Sequence, residues 1–186
     1  MSAPGCSRRH LLRAGLVAGS GLTALTLGVA PVHAEPDQDQ ELLRQALTDE
    51  QTVVLAYGAA LGRPAAPRVQ PVLRHIREQK IEHAQALLTA LRERGDRALS
   101  LPPRTAPDGL VAGMSRARSP HSRLSYLLAL ETVVAHRHAA RVPRLVDESL
   151  IRTSVSVMAN EAQHVAMLRE LLGVDPLGVA LEVGRA

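Results

Sequence analysis

A glutamate and a histidine lie three residues apart on the apolar face of the last helical segment in this chain of 186 residues. In ANEAQHVAML, residues 159–168, Glu161 and His164 fall in the same stripe as Leu150 and Leu168. Residues three apart share one face of a helix, and ionisable groups are costly to bury without a partner. The pattern therefore predicts that these two side chains find a partner inside the core.

Four segments after residue 34 have the apolar period of amphipathic helices, and none alternates like a strand. Ser119 followed by Pro120 is a helix-start signal, and Gly173 is a helix-end signal. Short connections join the first helix to the second and the third to the fourth, so each of these two pairs forms a hairpin. About 25 residues join the second helix to the third, which is enough for a crossover and contains a short stretch of helical character. The predicted helices span about residues 38–61, 72–94, 120–141 and 147–172.

The second hairpin repeats the first at a constant offset of 81 residues. A repeat of helix pairs, each with an apolar face, must dock its two halves together to bury those faces. The polar positions of the stripes then meet at one level of the core. The matched positions are Glu50 with Glu131, Lys80 with Glu161, and His83 with His164.

These residue types predict a metal centre. One Glu from each of two helices, with a Glu-x-x-His pair from each of the other two, forms the carboxylate-bridged dimetal site of four-helix bundles. Carboxylates and imidazoles suit iron and manganese, and the cations would offset the cost of burying the carboxylates. The candidate ligands are Glu50, His83, Glu131, Glu161 and His164.

Three segments, ANEAQHVAMLRELLG, REQKIEHAQALLTAL and LALETVVAHRHAA, resemble the exported ferritin-like domain family, which is related in fold to ferritins and bacterioferritins. The resemblance covers about residues 40 to 173. It implies an all-α, ferritin-like four-helix bundle of two hairpins with a long crossover between the second and third helices. If the protein is an enzyme, the resemblance implies an iron- or manganese-dependent oxidase-type activity.

Position 80 departs from the family pattern, which places Glu three residues before His83, whereas this chain has Lys80. Gln79 shares the face of His83 but is a neutral and poorer ligand. Three interpretations stay open. The metal site persists, complete or reduced; Lys80 pairs with the carboxylates in a metal-free bundle that serves as a structural or interaction module; or the function lies on the surface and the polar core is incidental.

The N-terminal 34 residues have the features of a secretory signal peptide. SRRHLLR, residues 7–13, precedes an apolar stretch that ends in small residues at Ala34. The pair Arg8-Arg9 resembles the twin-arginine type, so we expect the twin-arginine export machinery as a partner and cleavage near Ala34. The bundle domain would then comprise residues 35–186, in the periplasm, the cell envelope or outside the cell. An uncleaved membrane anchor is the alternative.

Composition excludes some classes of function. Without the segment that carries Arg8, Arg9 and Arg13, the chain has 22 − 3 = 19 Lys and Arg against 18 Asp and Glu. That balance, with no Phe or Trp, argues against nucleic-acid binding. The sole cysteine is Cys6, so the exported part has no internal disulfide. The apolar tail from Val174 is expected to cover the bundle or to contact a second subunit in a homodimer.

Two further groups are secondary candidates. His138, which matches Tyr57 in the repeat, is expected either to support the metal site or to be a hydrogen-bonded core histidine. A basic cluster near the last interhelical turn is expected to form a solvated face; it consists of Arg141, Arg144 and Arg152.

Overall fold

The computed structural model describes residues 36–97 and 108–176, which form five α-helices and no strand. The all-α prediction is confirmed. The predicted signal peptide, residues 1–34, and the tail from residue 177 lie outside the described residues. Among the described helices, none is long and apolar enough to cross a membrane. The helices are α1 (Pro36–Leu61), α2 (Val69–Glu93), α3 (Asp108–Arg116), α4 (Pro120–Arg141) and α5 (Glu148–Leu172), with a 3-10 turn at Val142–Arg144.

Local sequence fixes the helix ends and thereby the register of the core positions. At the start of α4, Ser119 Oγ accepts the N–H of Ser122, and Ser122 Oγ accepts the N–H of Ser119. Asp147 caps α5 by accepting backbone N–H groups of its first turn, and Gly173 ends that helix at φ 73°. The second helix begins three residues before its predicted start, because Pro71 is tolerated in a first turn, where its missing N–H has no acceptor.

Two hairpins make the bundle. The helices α1 and α2 pack on each other, as do α4 and α5; the hairpins meet along α1 and α4, and over a smaller contact along α2 and α5. The crossover helix α3 packs over one end of the α1–α4 seam, where Leu110 and Met114 join the apolar core. Gly113 makes this possible, because a Cβ there would lie 2.3 Å from the Tyr126 ring.

The core consists of two apolar clusters along the length of the bundle. One contains Val53, Tyr57, Ile76, Leu127 and Leu168 among others. The second is built mainly from leucines of the first hairpin, and each fully buried Leu contributes roughly 1.5–3 kcal/mol. In α1, α2 and α5 the candidate site residues stand between the stretches that supply the two clusters, whereas α4 supplies only the first cluster, on both sides of Glu131. The second cluster includes Leu43, Leu47, Leu87, Leu91 and Leu150.

Candidate metal centre

The structure brings the five predicted ligands together in one buried polar layer. Four of them have no solvent-exposed surface, and His83 is 6% exposed. They come from all four long helices, with Glu161 and His164 together on α5, so the docking of the hairpins assembles the layer. The fully buried four are Glu50, Glu131, Glu161 and His164.

Lys80 lies at the centre of this layer and is also fully buried. Its Nζ is 2.9 Å from Glu131 Oε2 and 3.4 Å from Glu50 Oε2, and it donates a hydrogen bond to Glu161 Oε2. The ammonium group thus contacts one oxygen of each of the three carboxylates. Position 80 therefore contributes a cation where the symmetric arrangement would have a fourth carboxylate.

Two overlapping groups of side chains are arranged so that each could hold a metal ion, and Glu161 belongs to both. In the first, His83 Nδ1 lies 3.3 Å from Glu161 Oε1 and 3.5 Å from Glu50 Oε2. In the second, His164 Nδ1 lies 3.8 Å from both Glu131 and Glu161. The two imidazole rings stack with centroids 5.9 Å apart.

The two histidines are oriented by amides from the opposite helix. His164 Nε2 donates to Gln79 Oε1 at 2.8 Å, and Asn160 Nδ2 donates to His83 Nε2 at 3.1 Å. Gln79 and Asn160 are themselves one repeat apart, so the two contacts are equivalent in the fold. Metal-bound histidines usually donate their outer N–H to an acceptor, which is the arrangement at His164.

The hydrogen bonds place different atoms of the two rings toward the carboxylates. With Nε2 as donor, neutral His164 turns the Nδ1 lone pair toward Glu131 and Glu161. With Nε2 as acceptor, neutral His83 carries its proton on Nδ1, which faces Glu50 and Glu161. If His83 takes a second proton on Nε2, that N–H can donate a hydrogen bond to Asn160 Oδ1 once the amide has turned over. His83 therefore faces the carboxylates with an N–H group, whereas His164 faces them with a lone pair that could bind a metal ion.

Two further core residues contact the glutamates of α1 and α4. His138 Nε2 lies 2.8 Å from Glu50 Oε1, so this histidine supports the site residue rather than replacing it. At the equivalent place in the repeat, Tyr57 is fully buried, and its hydroxyl has no hydrogen-bond partner among the described residues. Burial and the charge of Glu131 raise the pKa of Tyr57 well above its ordinary value, which keeps the hydroxyl protonated.

Lys80 lowers the pKa of the two carboxyl groups on α1 and α4. Burial acts to raise the pKa of Glu131, but the Lys80 charge outweighs it and lowers the pKa to about 2. Burial is likewise outweighed at Glu50, where Lys80, the hydrogen bond with His138 and the nearby His83 hold the pKa well below its ordinary range. Both groups are anions at neutral pH.

Glu161 behaves in the opposite way. Burial and the negative charges of Glu50 and Glu131 raise the pKa of Glu161 to about 7, although Lys80 and His83 act to lower it. Burial acts to lower the pKa of His83, but its contacts with Glu161 and Glu50 raise it to about 9. At Lys80 the three carboxylates outweigh burial and keep the pKa above its ordinary value.

The layer carries excess negative charge. Three ionised carboxylates against the Lys80 ammonium leave −2, and protonation of His83 reduces this to −1. An uncompensated buried charge costs several kcal/mol, so a further proton or cation is favoured there. The raised pKa of Glu161 has the same cause, because a proton on Glu161 reduces the excess negative charge.

The atoms left over by Lys80 fit one divalent cation. Lys80 contacts the Oε2 atoms. Glu131 Oε1, Glu161 Oε1 and His164 Nδ1 are buried without a hydrogen-bond partner, as are Glu50 Oε2 and His83 Nδ1 on the other side of the layer. Carboxylate oxygen and imidazole nitrogen are ligands that iron and manganese accept. The same residues do not fit a complete pair of ions, because the group at position 80 is a cation without a lone pair.

Several supporting residues were not predicted. The sequence pattern predicts no role for Asn160, and Gln79 contacts His164 on the other hairpin rather than the His83 side. The repeat could have indicated both residues, because Gln79 directly precedes Lys80 and Asn160 directly precedes Glu161, at equivalent positions. The solvated-face prediction is wrong for Arg141, which is buried against Asp49. His75, on α2, is exposed.

A family model described as a ferritin-like domain matches residues 38–174. The match covers most of the chain, including all four long helices and every residue of the polar layer. The chain therefore belongs to the ferritin-like domain family. Comparisons with curated proteins and with solved structures give no significant match.

Proposed function

We propose that this ferritin-like protein is exported and binds one divalent cation, iron or manganese, at the α4–α5 side of its polar layer. Glu131, Glu161 and His164 are the proposed ligands. Lys80 takes the place of the second ion, beside Glu50 and His83. The observation that carries the proposal is that Glu131 Oε1, Glu161 Oε1 and His164 Nδ1 are buried without a hydrogen-bond partner and are not atoms that Lys80 contacts.

Charge supports a single ion rather than two. Four carboxylates would balance two divalent cations, whereas three carboxylates and one ammonium balance one. The buried layer has that second composition. A bound iron or manganese ion would supply redox chemistry of the oxidase type, and the residues of the chain would hold it away from bulk water.

A metal-free bundle is the second candidate, and it is favoured by a separate observation. Lys80, together with protons on His83 and Glu161, brings the net charge of the layer to zero without any metal. In that case the polar layer would serve as a relic core that fixes how the hairpins dock, and the protein would act as a structural or interaction module.

Metal content separates the two candidates. The purified chain, stripped with a chelator, is exposed to ferrous iron without oxygen or to manganese, desalted, and assayed for metal per chain by mass spectrometry. We expect one ion per chain. The variants Glu161→Ala and His164→Ala should lose it, whereas His83→Ala should retain it.

The control is His75→Ala, which removes an exposed imidazole of α2 and should leave the metal content unchanged. Two ions per chain would show that Lys80 does not replace the second ion. No ion in a protein that still unfolds cooperatively would favour the metal-free bundle. Equal metal content in all four variants would contradict the ligand assignment.

Export rests on the N-terminal sequence, in which Arg8-Arg9 precedes an apolar stretch that ends near Ala34. Expression in a bacterium with an active twin-arginine pathway should yield an exported chain whose mass corresponds to residues 35–186. Replacement of both arginines by lysine should retain the precursor in the cytoplasm. Export of that double variant at the normal rate would contradict the twin-arginine assignment.

A further inference from the structure

A groove of about 700 Å³ lies on the outside of the bundle between α1 and α4. It opens beside Asp49, the residue directly before Glu50, but it contributes no ligand to the polar layer. Polar and charged side chains line it, and arginine is the commonest. The arginines are Arg44, Arg137, Arg141 and Arg144.

The floor of this groove is a clamped carboxylate. Arg137 Nη1 lies 2.6 Å from Asp49 Oδ1, and Arg141 Nη2 donates to Asp49 Oδ2. Asp49 and Arg141 are both buried, and Arg141 Nη1 has no hydrogen-bond partner among the described residues. One carboxylate thus orients two guanidinium groups and neutralises only one of them.

The floor carries a net charge of +2, because Arg137, Arg141 and Arg144 oppose Asp49 there, and Glu41, which also lines the groove, lowers the charge of the whole lining by one. Arg144 is exposed, and its guanidinium makes no ion pair within the part of the chain that the structure describes. Arg44, at the rim, is already paired with Asp96 at 2.6 Å and adds no free charge.

Packing of the hairpins does not require this charge. The repeat supplies an internal comparison, since the same seam occurs again 81 residues away, at the other end of the α1–α4 contact. There the side chains equivalent to Asp49, Arg137 and Arg141 are apolar and pack in the cluster that α3 joins, whereas Arg144 is matched by Arg63, which donates to the carbonyl oxygens of Met114 and Ala117. The charged cluster is therefore a feature added at one end. The equivalent pairs are Asp49 with Leu130, Arg137 with Ala56, and Arg141 with Ala60.

We propose that this groove binds a phosphate group, either as inorganic phosphate or on a phosphate monoester, through Arg137, Arg141 and Arg144. Planar guanidinium groups bind phosphate oxygens with two parallel hydrogen bonds. A dianion matches the charge of the floor. Asp49 holds two of the three donors in place before the ligand arrives, which lowers the entropy cost of binding.

The test is calorimetric titration of inorganic phosphate into the full chain at low ionic strength. The protein is kept metal-free, because phosphate is itself a ligand for iron, so the result does not depend on whether the core binds a metal. One saturable site is expected. The double variant Arg137→Gln, Arg144→Gln should weaken binding at least tenfold. Arg141 is left unchanged because it is buried against Asp49.

Arg152→Gln is the matched control. Arg152 is exposed on α5 and paired with Glu148 at 3.6 Å, outside the groove, so its loss should leave phosphate affinity unchanged. Thermal melts of both variants check that the bundle is intact. Absence of saturable binding to the unmodified chain would overturn the proposal, as would equal binding to the double variant. Tighter binding of glycerol phosphate than of inorganic phosphate would identify a monoester as the ligand.

Discussion

The two hairpins hold equivalent residues around the core, yet they treat charge in opposite ways. In the α4–α5 hairpin the inward position is Glu161, and its imidazole partner, His164, turns a lone pair toward the carboxylates. In the α1–α2 hairpin the equivalent position is Lys80, and the imidazole of His83 turns an N–H inward. The α4–α5 hairpin thus presents groups that can bind a cation, whereas the α1–α2 hairpin contributes positive charge of its own.

This difference shows how one substitution changes the amount of positive charge that a buried site needs from bound ions. A carboxylate at position 80 would leave four negative charges for bound ions to neutralise. Lys80 removes one of these and adds a fixed positive charge, so the requirement falls by two. Because Lys80 is the single lysine in the chain, its burial is a specific feature of this site.

Substitutions at position 80 should have the largest effects on the comparison, beginning with removal of the central cation. Lys80→Met leaves three buried carboxylates without an ammonium, and breaking a buried ion pair in this way costs about 3–5 kcal/mol. The free energy of unfolding, measured by urea titration of the metal-free chain, reports the loss. Arg152→Met, which removes an exposed cation, should change it by less than about 0.5 kcal/mol. A loss at Lys80 as small as that of the control would contradict the central role of the ammonium.

Restoring symmetry is the counterpart of that experiment. Lys80→Glu should destabilise the metal-free chain at least as much, because it adds a fourth negative charge. Divalent cations should then recover stability, with two ions bound per chain. Failure of iron or manganese to stabilise this variant would show that the hairpins do not form equivalent half-sites.

The pH dependence of stability should be the next largest effect. In the metal-free chain the pKa is about 7 for Glu161 and about 9 for His83. The unfolded values are about 4.3 and 6.5. Folding raises the pKa of both groups. For each group, the folded state therefore binds more protons than the unfolded state at pH values between the unfolded and the folded pKa. The stability contributed by these protons is complete below the unfolded values and is lost as the pH rises through the folded values.

The expected result is a fall of several degrees in melting temperature between pH 6 and pH 9. Glu161→Gln should remove the part that titrates near neutrality, and His83→Gln the part nearer pH 9. At the acid end the sign reverses, because folding lowers the pKa of Glu131 to about 2. Stability should therefore also fall as the pH drops from about 4 toward 2. A melting temperature that rises from pH 6 to pH 9 would contradict these assignments.

The smallest expected effect is a difference in stability between variants of His138 and of Tyr57, which occupy equivalent positions in the repeat. His138→Leu leaves Glu50 Oε1 without its hydrogen bond, which costs about 1–3 kcal/mol. Tyr57→Phe removes a buried hydroxyl that has no hydrogen-bond partner among the described residues, so it should change stability by less than about 1 kcal/mol. Urea unfolding of the two variants makes the comparison, and a larger loss for Tyr57→Phe would contradict it.

The positions of the long helices were predictable because their apolar residues recur with the helical period. Both helices of the second hairpin have nearly their predicted bounds, with Ser119 and Asp147 at the caps. The packing of α3 was not predictable, since it depends on how Gly113 meets a ring on α4. Arg141 likewise read as a surface residue, because its partner lies on α1, 92 residues away.

The sequence by itself determined which residues share the inward faces, and the repeat offset determined that these faces meet at one level. It also determined the charge imbalance, because residue types fix charge wherever the side chains lie. Only the tertiary structure decided that Lys80 contacts all three carboxylates, and that the amides of Gln79 and Asn160 orient opposite rings. Helical periodicity fixes a direction around one axis, whereas distances between atoms on different helices depend on how the whole bundle packs.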